Sequence, residues 1–398
     1  MHDRRRFLEG VLGLGAAAWA AQLDARSAAA QTPPSPAGKP APAAAATLAP
    51  PVAPAPAGGT GTAGKKVGFA LVGLGSLSEN QIAPALFEKT KLCKLTGLVS
   101  GHPDKAKAWA QKYGVPERNI YDYQNFDRIK DNPEIDVVYV VLPNSMHAEY
   151  TIRAAKAGKH VLCEKPMAVS VKECDQMIAA CKAAKRKLAI GYRLHFEPHN
   201  LELVRMAREK TFGQVKVIET SAGFHIDDPK QWRLNKALSG GGSLMDIGIY
   251  ALQAARYISG EEPVSVSAQM SITDPVKFKP GVDESILFTL KFPSGVVANC
   301  ASSYAAFLNR FRANAERGWF ELQPALNYDG IKGRMRAEGG PKDFSFPPVD
   351  HFAAEMDDFA DCVLNDKQTR VPGEEGRRDL RIMTAIYQSA ASGKTIQL

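Results

Sequence analysis

The sequence of 398 residues predicts two folded domains of different class, an α/β domain followed by an α+β domain. Between residues 66 and 193, short apolar segments alternate with helical ones, which is typical of a doubly wound parallel sheet. Residues 264–273, 284–292 and 296–304 are strand-like, and Pro293-Ser294-Gly295 is a hairpin signal between the last two. The parallel sheet is therefore expected first and the antiparallel strands second.

The composition is that of a globular protein, with 45% apolar residues, 23% charged residues and a net charge of +8. These values argue against a disordered, collagenous or membrane-embedded chain. The basic residues are scattered among acidic ones and form no stripe, so we expect no nucleic-acid partner. The six cysteines form no CxxC pair and lack histidine-rich spacing, so we expect neither a disulfide framework nor a metal site.

Residues 1–30 have the organisation of an export signal. The apolar run 11–21 is too short to cross a bilayer, so we expect no membrane anchor, and a small-x-small cleavage pattern ends at Ala30. The segment Asp3-Arg4-Arg5-Arg6-Phe7-Leu8-Glu9 is similar to the twin-arginine signal, from which it departs at Asp3 and Glu9. We therefore predict export of the folded protein to the periplasm; an ordinary secretory signal rich in arginine is the alternative.

Residues 31–64 form a Pro/Ala-rich segment that holds nine of the 26 prolines and a single charge, Lys39. The segment has no apolar side chains large enough to build a core, and its prolines favour extended conformations. It is either a disordered linker or an arm that docks on a neighbouring subunit.

A glycine motif follows the first strand of the α/β domain. Residues 66–72 form an apolar strand that leads into Gly73-Leu74-Gly75-Ser76-Leu77-Ser78 and a helical stretch at 80–89. Glycines between a strand and a helix allow a tight turn and bring a pyrophosphate to the helix N-terminus. Ser78 stands where the third glycine is expected, so the prediction depends on the βα context. We predict a dinucleotide site that includes Gly73, Gly75, Ser76 and Leu77.

The second strand, 93–100, indicates which nucleotide binds. NAD sites place an acidic residue about 20 residues past the glycines, whereas this strand ends at Ser100-Gly101-His102, followed by Lys105 and Lys107. A hydroxyl group, an exposed amide and cations favour a 2′-phosphate. We therefore predict NADP, bound by Ser100, Gly101, His102 and Lys105; the alternative is that the lysines are simply solvated. The further predicted elements are helices at 104–113 and 147–157 and strands at 135–142, 160–163 and 187–193.

Two further motifs carry reactive side chains. Glu164-Lys165-Pro166 follows the strand 160–163, at the edge where parallel sheets bind ligands, although such a tripeptide is more often a surface turn. Ser170 and Glu173 then form a predicted capping box for the next helix.

The second motif, Gly240–Tyr250, continues as a helix to residue 258. Asp246, Tyr250 and Gln253 are spaced to share one helix face, and the packing side is expected to carry Leu244, Ile247, Leu252 and Ala255. A satisfied buried Asp–Tyr pair is the alternative, and the functional interpretation requires Lys165 from the first domain.

Together these residues resemble the Gfo/Idh/MocA oxidoreductases, and in particular their glucose–fructose oxidoreductase branch. The resemblance covers residues 66–398, the export signal and the arm. Tyr250, where many members have His, and Ser100, where an acid is usual, are similar to the sugar oxidoreductase branch, which uses NADP. The most specific segments are Leu142-Pro143-Asn144-Ser145-Met146-His147-Ala148-Glu149, Glu164-Lys165-Pro166, Gly191-Tyr192-Arg193, Gln231-Trp232-Arg233-Leu234 and Gly240–Tyr250.

The resemblance implies a Rossmann domain over residues 65–192 and an α+β domain over residues 193–398, built on a large, mostly antiparallel open sheet. It implies a homodimer or homotetramer formed through that sheet, with the arm wrapped around a partner. It also implies small sugar substrates and further cofactor contacts from Pro143, Asn144, His147, Glu164, Lys165, Arg193, Trp232 and Arg233.

We expect Tyr250 to be the acid/base at the C1 hydroxyl of a sugar, with Lys165 tuning it and bonding the reacting oxygen, and Asp246 orienting the sugar hydroxyls. A neighbouring ammonium favours the ionised form of a tyrosine. An exported enzyme has no evident supply of free NADP, so we predict a tightly bound cofactor that a second sugar, fructose or an aldose, recycles. The alternatives are a sugar dehydrogenase with exchanging NADP and a non-catalytic sugar-binding protein.

Overall fold

The computed structural model describes residues 64–398. The predicted export signal, and residues 31–63 of the Pro/Ala-rich segment, lie outside the described residues and stay predictions. Within the described range the chain forms two sheets, one of six strands and one of nine. No helix between residues 64 and 398 is long and apolar enough to span a membrane.

The first sheet is parallel throughout. Its strands are β1 (Val67–Val72), β2 (Cys93–Val99), β3 (Ile120–Tyr121), β4 (Val137–Val140), β5 (His160–Glu164) and β6 (Leu188–Gly191), in the spatial order β3-β2-β1-β4-β5-β6. Every residue of β1, β4 and β6 is buried, as expected for a sheet covered by helices on both faces. The strand order reverses between β1 and β4, which is where Rossmann sheets bind dinucleotides. The predicted Rossmann fold is confirmed.

The helices of this domain lie where the sequence predicts them, with differences at their ends. The helix after β1 contains two π-helical turns, Ser78–Ile82 and Ala85–Lys89. The other helices are α1 (Pro103–Tyr113), α2 (His147–Lys156) and α3 (Val171–Ala183), with 3₁₀ turns at Glu117–Asn119, Phe126–Asp131 and Asn144–Met146.

One of the two hydrogen bonds of the predicted capping box of α3 forms as predicted, and the other is shifted by one residue. The Ser170 hydroxyl accepts a hydrogen bond from the Glu173 amide, at 3.3 Å, as predicted. The Glu173 carboxylate reaches back one residue further than predicted and accepts from the Val169 amide, at 3.1 Å. Both contacts satisfy amides at the start of the helix.

The second sheet has nine strands: β7 (Val215–Gly223), β8 (Ser265–Ser271), β9 (Ser285–Lys291), β10 (Val297–Ser303), β11 (Leu308–Ala315), β12 (Gly318–Leu322), β13 (Gly333–Ala337), β14 (Gly340–Phe344) and β15 (Ile396–Gln397). Their order is β14-β13-β12-β11-β7-β10-β9-β8-β15. All neighbours are antiparallel except β7 and β10. The predicted hairpin joins β9 to β10, with Gly295 at a φ of 89°. The predicted open, mostly antiparallel sheet is confirmed.

Five helices accompany this sheet: α4 (Pro198–Arg208), α5 (Lys236–Ser239), α6 (Ile249–Ser259), α7 (His351–Leu364) and α8 (Gly373–Ser392). Shorter helical turns span Arg193–Phe196, Trp232–Leu234 and Leu244–Gly248. The last two helices return to the first domain. Asp357 on α7 accepts hydrogen bonds from the amides of Lys91 and Leu92, and Ile190 in β6 donates to the carbonyl of Val371 just before α8. The C-terminal segment thus contacts both domains.

A buried ionic cluster holds α6 against α8. Arg256 has no exposed surface and donates to Asp379 at 2.7 Å, to Glu262 at 2.5 Å and to Glu375 at 3.1 Å. Burial raises the pKa of Asp379 to about 6, although Arg256 opposes the shift. Asp379 also accepts from Gln253 at 2.8 Å. The cluster therefore fixes the helix that begins beside Tyr250.

We expect Arg256→Leu to lower the free energy of unfolding by about 3–5 kcal/mol, because the substitution leaves buried carboxylates without their cation. Urea unfolding followed by circular dichroism at neutral pH measures this change. The control is Arg377→Leu, which removes an exposed ion pair with Asp175 and should cost at most about 1 kcal/mol. Similar losses in the two variants would show that the buried cluster contributes no more to the free energy of unfolding than an exposed ion pair does.

Candidate active site

A cavity of about 1180 Å³ lies where the strands of the first sheet end and the second domain begins. Its volume exceeds the range of about 300–1,000 Å³ found for drug-sized ligands, so it has room for a dinucleotide. Most of the predicted site residues line it: Gly73, Gly75, Ser76, Leu77, Ser100, His102, Lys105, Pro143, Asn144, Glu164, Lys165, Arg193, Trp232, Arg233, Asp246 and Tyr250. Gly101 and His147 do not.

The glycine turn after β1 has the geometry that a phosphate site requires. Gly73 has a φ of 92°, and a Cβ there would lie 2.1 Å from the Val141 carbonyl oxygen, so only glycine fits. A Cβ at Gly75 would meet no atom within 4 Å, which leaves the backbone approachable from the cavity. Ser78, in place of the third glycine, donates its hydroxyl proton to the Gly73 carbonyl at 2.6 Å. The serine therefore stabilises the same turn by a hydrogen bond.

The end of β2 forms a small polar corner of the cavity. The Ser100 hydroxyl accepts from the His102 amide at 3.0 Å, and Lys105 forms an ion pair with Glu79 at 2.9 Å. Gly101 lies outside the lining because it packs on the Tyr123 ring, which itself lines the cavity. This corner therefore offers a hydroxyl and an ammonium to an anionic group.

His147 and Asn144 form hydrogen bonds that hold the walls of the cavity. The two ring nitrogens of His147 lie 2.8 Å from the carbonyl oxygens of Leu142 and Pro166, and the ring is fully buried. It ties the loop after β4 to the turn after β5, and its predicted cofactor contact stays a prediction. Asn144 lines the cavity and also donates to the Ser239 carbonyl at 2.8 Å, which links the two domains.

Lys165 and Asp246 meet across the domain boundary. The Lys165 ammonium donates to the Asp246 carboxylate at 3.1 Å and to its backbone carbonyl at 2.6 Å. The other carboxylate oxygen accepts from Arg233 at 2.8 Å and from Tyr304 at 3.0 Å. Asp246 is thus occupied by protein donors on both oxygens and positions Lys165 and Arg233; its predicted contact with sugar hydroxyls is untested.

The electrostatics of this cluster fix its charge states. Burial disfavours the ionised carboxylate of Asp246, but Arg233 and Lys165 outweigh burial and hold its pKa well below the usual range. Burial would lower the pKa of Lys165, but Asp246 outweighs that effect and the pKa is raised. The pair is therefore ionised at neutral pH.

Tyr250 lies between two cations. The Lys165 ammonium is 5.0 Å from the centre of its ring, and the guanidinium carbon of Arg193 is 5.2 Å away on the same ring. Both distances are those of cation–π contacts. Two of the three ammonium donors of Lys165 point to Asp246. One donor therefore remains for the hydrogen bond that we expect from Lys165 to the reacting oxygen. Arg193 is a second cation that the sequence-based mechanism omits.

The helical spacing that we predict for this motif is wrong in its details. Leu244–Gly248 form a π-helical turn, which inserts an extra residue relative to an α-helix. Asp246 and Tyr250 still reach the cavity, but Gln253 points away from it and donates to buried Asp379. Ile247, which was expected on the packing side, lines the cavity instead. π-Helical turns are frequent at functional sites for this reason.

Several lining residues escape the sequence-based prediction. Phe224, which lines the cavity, directly follows β7. Its ring centre lies 5.2 Å from that of Tyr304, which directly follows β10 and donates to Asp246 behind the wall. Because these strands are parallel neighbours, their carboxyl ends lie together at the cavity, a signal that becomes visible only when the pairing is known. The other aromatic residues of the wall are Tyr123, Trp232, Tyr250, Tyr328 and Phe352, of which the sequence predicts Trp232 and Tyr250.

Metal and thiol chemistry find no support in residues 64–398. No cluster of three or more His, Cys, Asp or Glu side chains in this range is arranged to hold a metal ion. All six cysteines are buried as free thiols, among them Cys163 in β5. Burial raises the pKa of the Cys163 thiol well above its usual range. The predicted catalytic residues Lys165, Asp246 and Tyr250 all line the cavity.

The fold and the cavity define a two-domain oxidoreductase, and the sequence assigns its family. Residues 67–192 match the oxidoreductase family with an NAD-binding Rossmann fold (Gfo/Idh/MocA), and residues 201–321 match the C-terminal domain of the same family. The chain belongs to the Gfo/Idh/MocA oxidoreductases. The predicted family and enzyme class are confirmed.

Individual relatives act on sugars, as their names state. D-xylose 1-dehydrogenase (NADP(+)) of Haloarcula marismortui is 31% identical over 338 residues, which cover 83% of this chain and 93% of that protein. D-xylose 1-dehydrogenase (NADP(+)) 2 of Haloferax volcanii is 28% identical over 335 residues, which cover 83% of this chain and 99% of that protein. The crystal structure of aldose-aldose oxidoreductase from Caulobacter crescentus, complexed with glycerol, is 48% identical, covers 84% of this chain and 100% of that one, and has a TM-score of 0.82. The prediction of NADP agrees with the two dehydrogenases.

We expect Asp246→Asn to lower the free energy of unfolding by about 3–5 kcal/mol at neutral pH, because Lys165 and Arg233 lose their buried counter-charge. The unfolded carboxyl group has a pKa of about 4 and the folded one lies lower, so the stabilisation is present above about pH 5 and is lost as the pH falls below 4. Urea unfolding at a series of pH values measures the difference between the two proteins.

The control for this substitution is Asp343→Asn, which breaks an exposed ion pair with Arg334 and should change stability by at most about 1 kcal/mol. A difference between Asp246→Asn and the wild type that persists unchanged into strong acid would contradict the assigned charge state.

Proposed function

We propose that this protein transfers a hydride between two sugars by means of a tightly bound NADP. One aldose is oxidised at C1 to the aldonolactone, and a second aldose is reduced to the alditol. The observation that carries the proposal is the convergence of Lys165, Asp246 and Tyr250 on one wall of a cavity whose other wall is a dinucleotide turn. The 48% identity to an aldose-aldose oxidoreductase supports an aldose, rather than fructose, as the acceptor.

The residues of the first domain fit NADP. The turn at Gly73 and Gly75 leaves backbone open to the cavity at a helix N-terminus, which suits a pyrophosphate. Ser100 and Lys105 suit a 2′-phosphate, for which Lys105 would leave its partner Glu79, and β2 is followed by Ser100-Gly101-His102 in place of the acidic residue of NAD sites. When bound, NADP supplies the chemistry that accepts and returns a hydride.

The side chains of the second half of the cavity handle the proton. Tyr250 takes the proton of the C1 hydroxyl as the first sugar is oxidised and gives it to the carbonyl oxygen of the second sugar. Lys165 and Arg193, both within about 5 Å of the ring centre, stabilise the negative charge that this exchange places on the phenol oxygen. Asp246 keeps the two cations Lys165 and Arg233 in place. The proton that leaves the first sugar is thus returned to the second, and the cycle is balanced.

Analysis of products distinguishes this cycle from its alternatives. The purified protein is incubated with glucose or xylose without added NADP, and the released cofactor is identified by mass spectrometry. We expect aldonate and alditol in equal amounts. Turnover only with added NADP would favour a dehydrogenase with exchanging cofactor, as in the D-xylose 1-dehydrogenases. No turnover, with sugar binding retained, would favour a non-catalytic sugar-binding protein.

A periplasmic location is part of the proposal and rests on residues 1–30 alone. A folded protein that carries its cofactor through the twin-arginine route needs no NADP outside the cytoplasm. Replacing Arg4 and Arg5 by lysine should retain the protein in the cytoplasm. Unchanged export would assign the segment to the ordinary secretory route.

We also propose that the open sheet face forms a homodimer or homotetramer. Val217, Leu287 and Val297 lie on this face of β7, β9 and β10, and they are 43%, 53% and 36% exposed. Sedimentation equilibrium should give a mass of two or four chains, and Leu287→Arg should give a single chain. A monomeric wild-type protein would refute the proposal.

We expect Tyr250→Phe to reduce turnover by about 10²–10⁴-fold, because the variant lacks the group that exchanges the proton. Cofactor content, measured by absorbance after denaturation, should remain unchanged. The control is Tyr113→Phe, which removes a hydroxyl from α1 outside the cavity and should leave turnover intact. Near-normal turnover of Tyr250→Phe would remove this residue from the mechanism.

We expect Lys105→Ala to weaken NADP binding by about 10- to 100-fold and to leave NAD binding unchanged, because only NADP carries the 2′-phosphate that the ammonium contacts. Isothermal titration of protein freed of its cofactor measures both affinities. Lys107→Ala is the matched control, since Lys107 lies on the same helix, is exposed and does not line the cavity. Equal losses in the two variants would indicate a general charge effect.

A further inference from the structure

Two glutamates and a tyrosine form a buried acidic cluster behind the wall of the cavity. Glu164 ends β5 and lines the cavity, Glu355 lies on α7, and Tyr139 in β4 lies between them. Their exposed fractions are 6%, 1% and 0%. The proton exchange described for Tyr250 uses none of these three groups.

The contacts within the cluster show where its protons are. The Tyr139 hydroxyl lies 2.8 Å from one oxygen of Glu164 and 3.5 Å from one oxygen of Glu355, and the other oxygen of Glu355 has no partner. A phenol has a single proton, so it donates to one carboxyl group only, and the shorter distance assigns that donation to Glu164. Glu355 must then supply a proton of its own towards the Tyr139 oxygen.

The surrounding cations do not neutralise the pair. The Lys165 ammonium is directed at Asp246, and Arg193 donates to His351 and to the Leu326 carbonyl. In the described part of the chain, neither Glu164 nor Glu355 takes part in a salt bridge. Two adjacent carboxylates that are buried without a paired cation cannot both be ionised at acceptable cost.

The electrostatic surroundings agree with one shared proton. Burial raises the pKa of Glu355 well above its usual range, and the charge of Glu164 raises it further. Burial also raises the pKa of Glu164, although Lys165 opposes the shift. The titratable and charged groups that face the pair from the packed elements are Tyr139 on β4, Lys165 after β5, Arg193 after β6, Tyr250 on α6, Tyr328 after β12 and Asp358 on α7.

We propose that Glu355 is a positioning residue that holds one proton against Glu164, so that the cavity wall presents a single negative charge to the bound dinucleotide. This inference rests on the proposed function for the identity of the dinucleotide. For hydride exchange in the proposed cycle the nicotinamide would lie beside Tyr250. Glu164 directly precedes Lys165, whose ammonium contacts the Tyr250 ring. The oxidised nicotinamide is a cation and the reduced one is neutral, so the charge of the pair sets their relative affinities. One charge keeps both forms accessible, as a recycled cofactor requires.

The first test needs no cofactor. An acid whose pKa is raised on folding stabilises the folded state at low pH, and this contribution is lost as the pH rises through the folded value. The apo protein should therefore lose stability as the pH rises above about 4.3, where the unfolded glutamate ionises, and Glu355→Gln should lose less, because its neutral amide cannot ionise. The infrared difference spectrum of the two proteins should show one protonated carboxyl group in the wild type.

The second test measures the dissociation constants of NADP⁺ and NADPH between neutral and alkaline pH. We expect NADP⁺ to gain about tenfold over NADPH in the wild type as the pair loses its shared proton, and Glu355→Gln to show no such change. Glu164→Gln should favour NADPH by about tenfold at neutral pH. Asp361→Asn, on the same helix and paired with Lys367, is the control and should behave as the wild type.

The outcomes separate the two proposals. A wild-type ratio of affinities that does not vary with pH, or a Glu355→Gln protein that keeps the wild-type variation, would overturn the shared-proton inference. Failure of the wild type to bind either form of NADP would overturn the proposed cofactor, while the stability and infrared measurements still decide the protonation of the pair. If Glu355→Gln does not fold, Tyr139→Phe should extend the pH-dependent loss of stability to higher pH, because the carboxylate loses a hydrogen bond, and an unmoved loss would contradict the proposal.

Discussion

The ion pair between Lys165 and Asp246 is the interaction on which the rest of the site depends. It joins the end of a parallel strand in the first domain to a π-helical turn in the second, and it draws Arg233 and Tyr304 to the same carboxylate. Tyr250 follows one turn later, so its ring is brought against the ammonium by the same contact. The position of the reactive phenol is therefore decided by charge pairing across the domain boundary.

Much of the fold follows from local patterns in the sequence. The alternating apolar and helical segments predict each strand of the first sheet except the two-residue β3, because a strand buried on both faces has to be apolar along its length. The hairpin after β9 has its own turn residues. The parallel pairing of β7 with β10 has no local signal, since strands far apart in the chain choose partners by packing, and Phe224 and Tyr304 were missed with it.

The site shows a similar division. Glu164, Lys165, Asp246 and Tyr250 stand in recognisable motifs, but the face on which Gln253 and Ile247 lie depends on a π-helical turn that spacing rules assume absent. The sequence also does not indicate that Arg193 lies beside the Tyr250 ring as a second cation. Arg193 is oriented by a hydrogen bond of 3.0 Å to His351, whose ring must be neutral to accept it. Burial, reinforced by the charge of Arg193, lowers the pKa of His351 to about 4. Contacts of this kind between distant segments leave no trace in composition or periodicity.

The return of α7 and α8 to the first domain has a kinetic consequence. A hinge motion that opened the cavity would have to break the hydrogen bonds of Asp357 with Lys91 and Leu92, and that of Ile190 with Val371. Because the C-terminal segment contacts both domains, the two halves cannot swing about a single connection. A ligand seated beneath the junction would therefore leave through local movements of the surrounding loops. Its residence time would be set by the rigidity of the scaffold as much as by the strength of its own contacts.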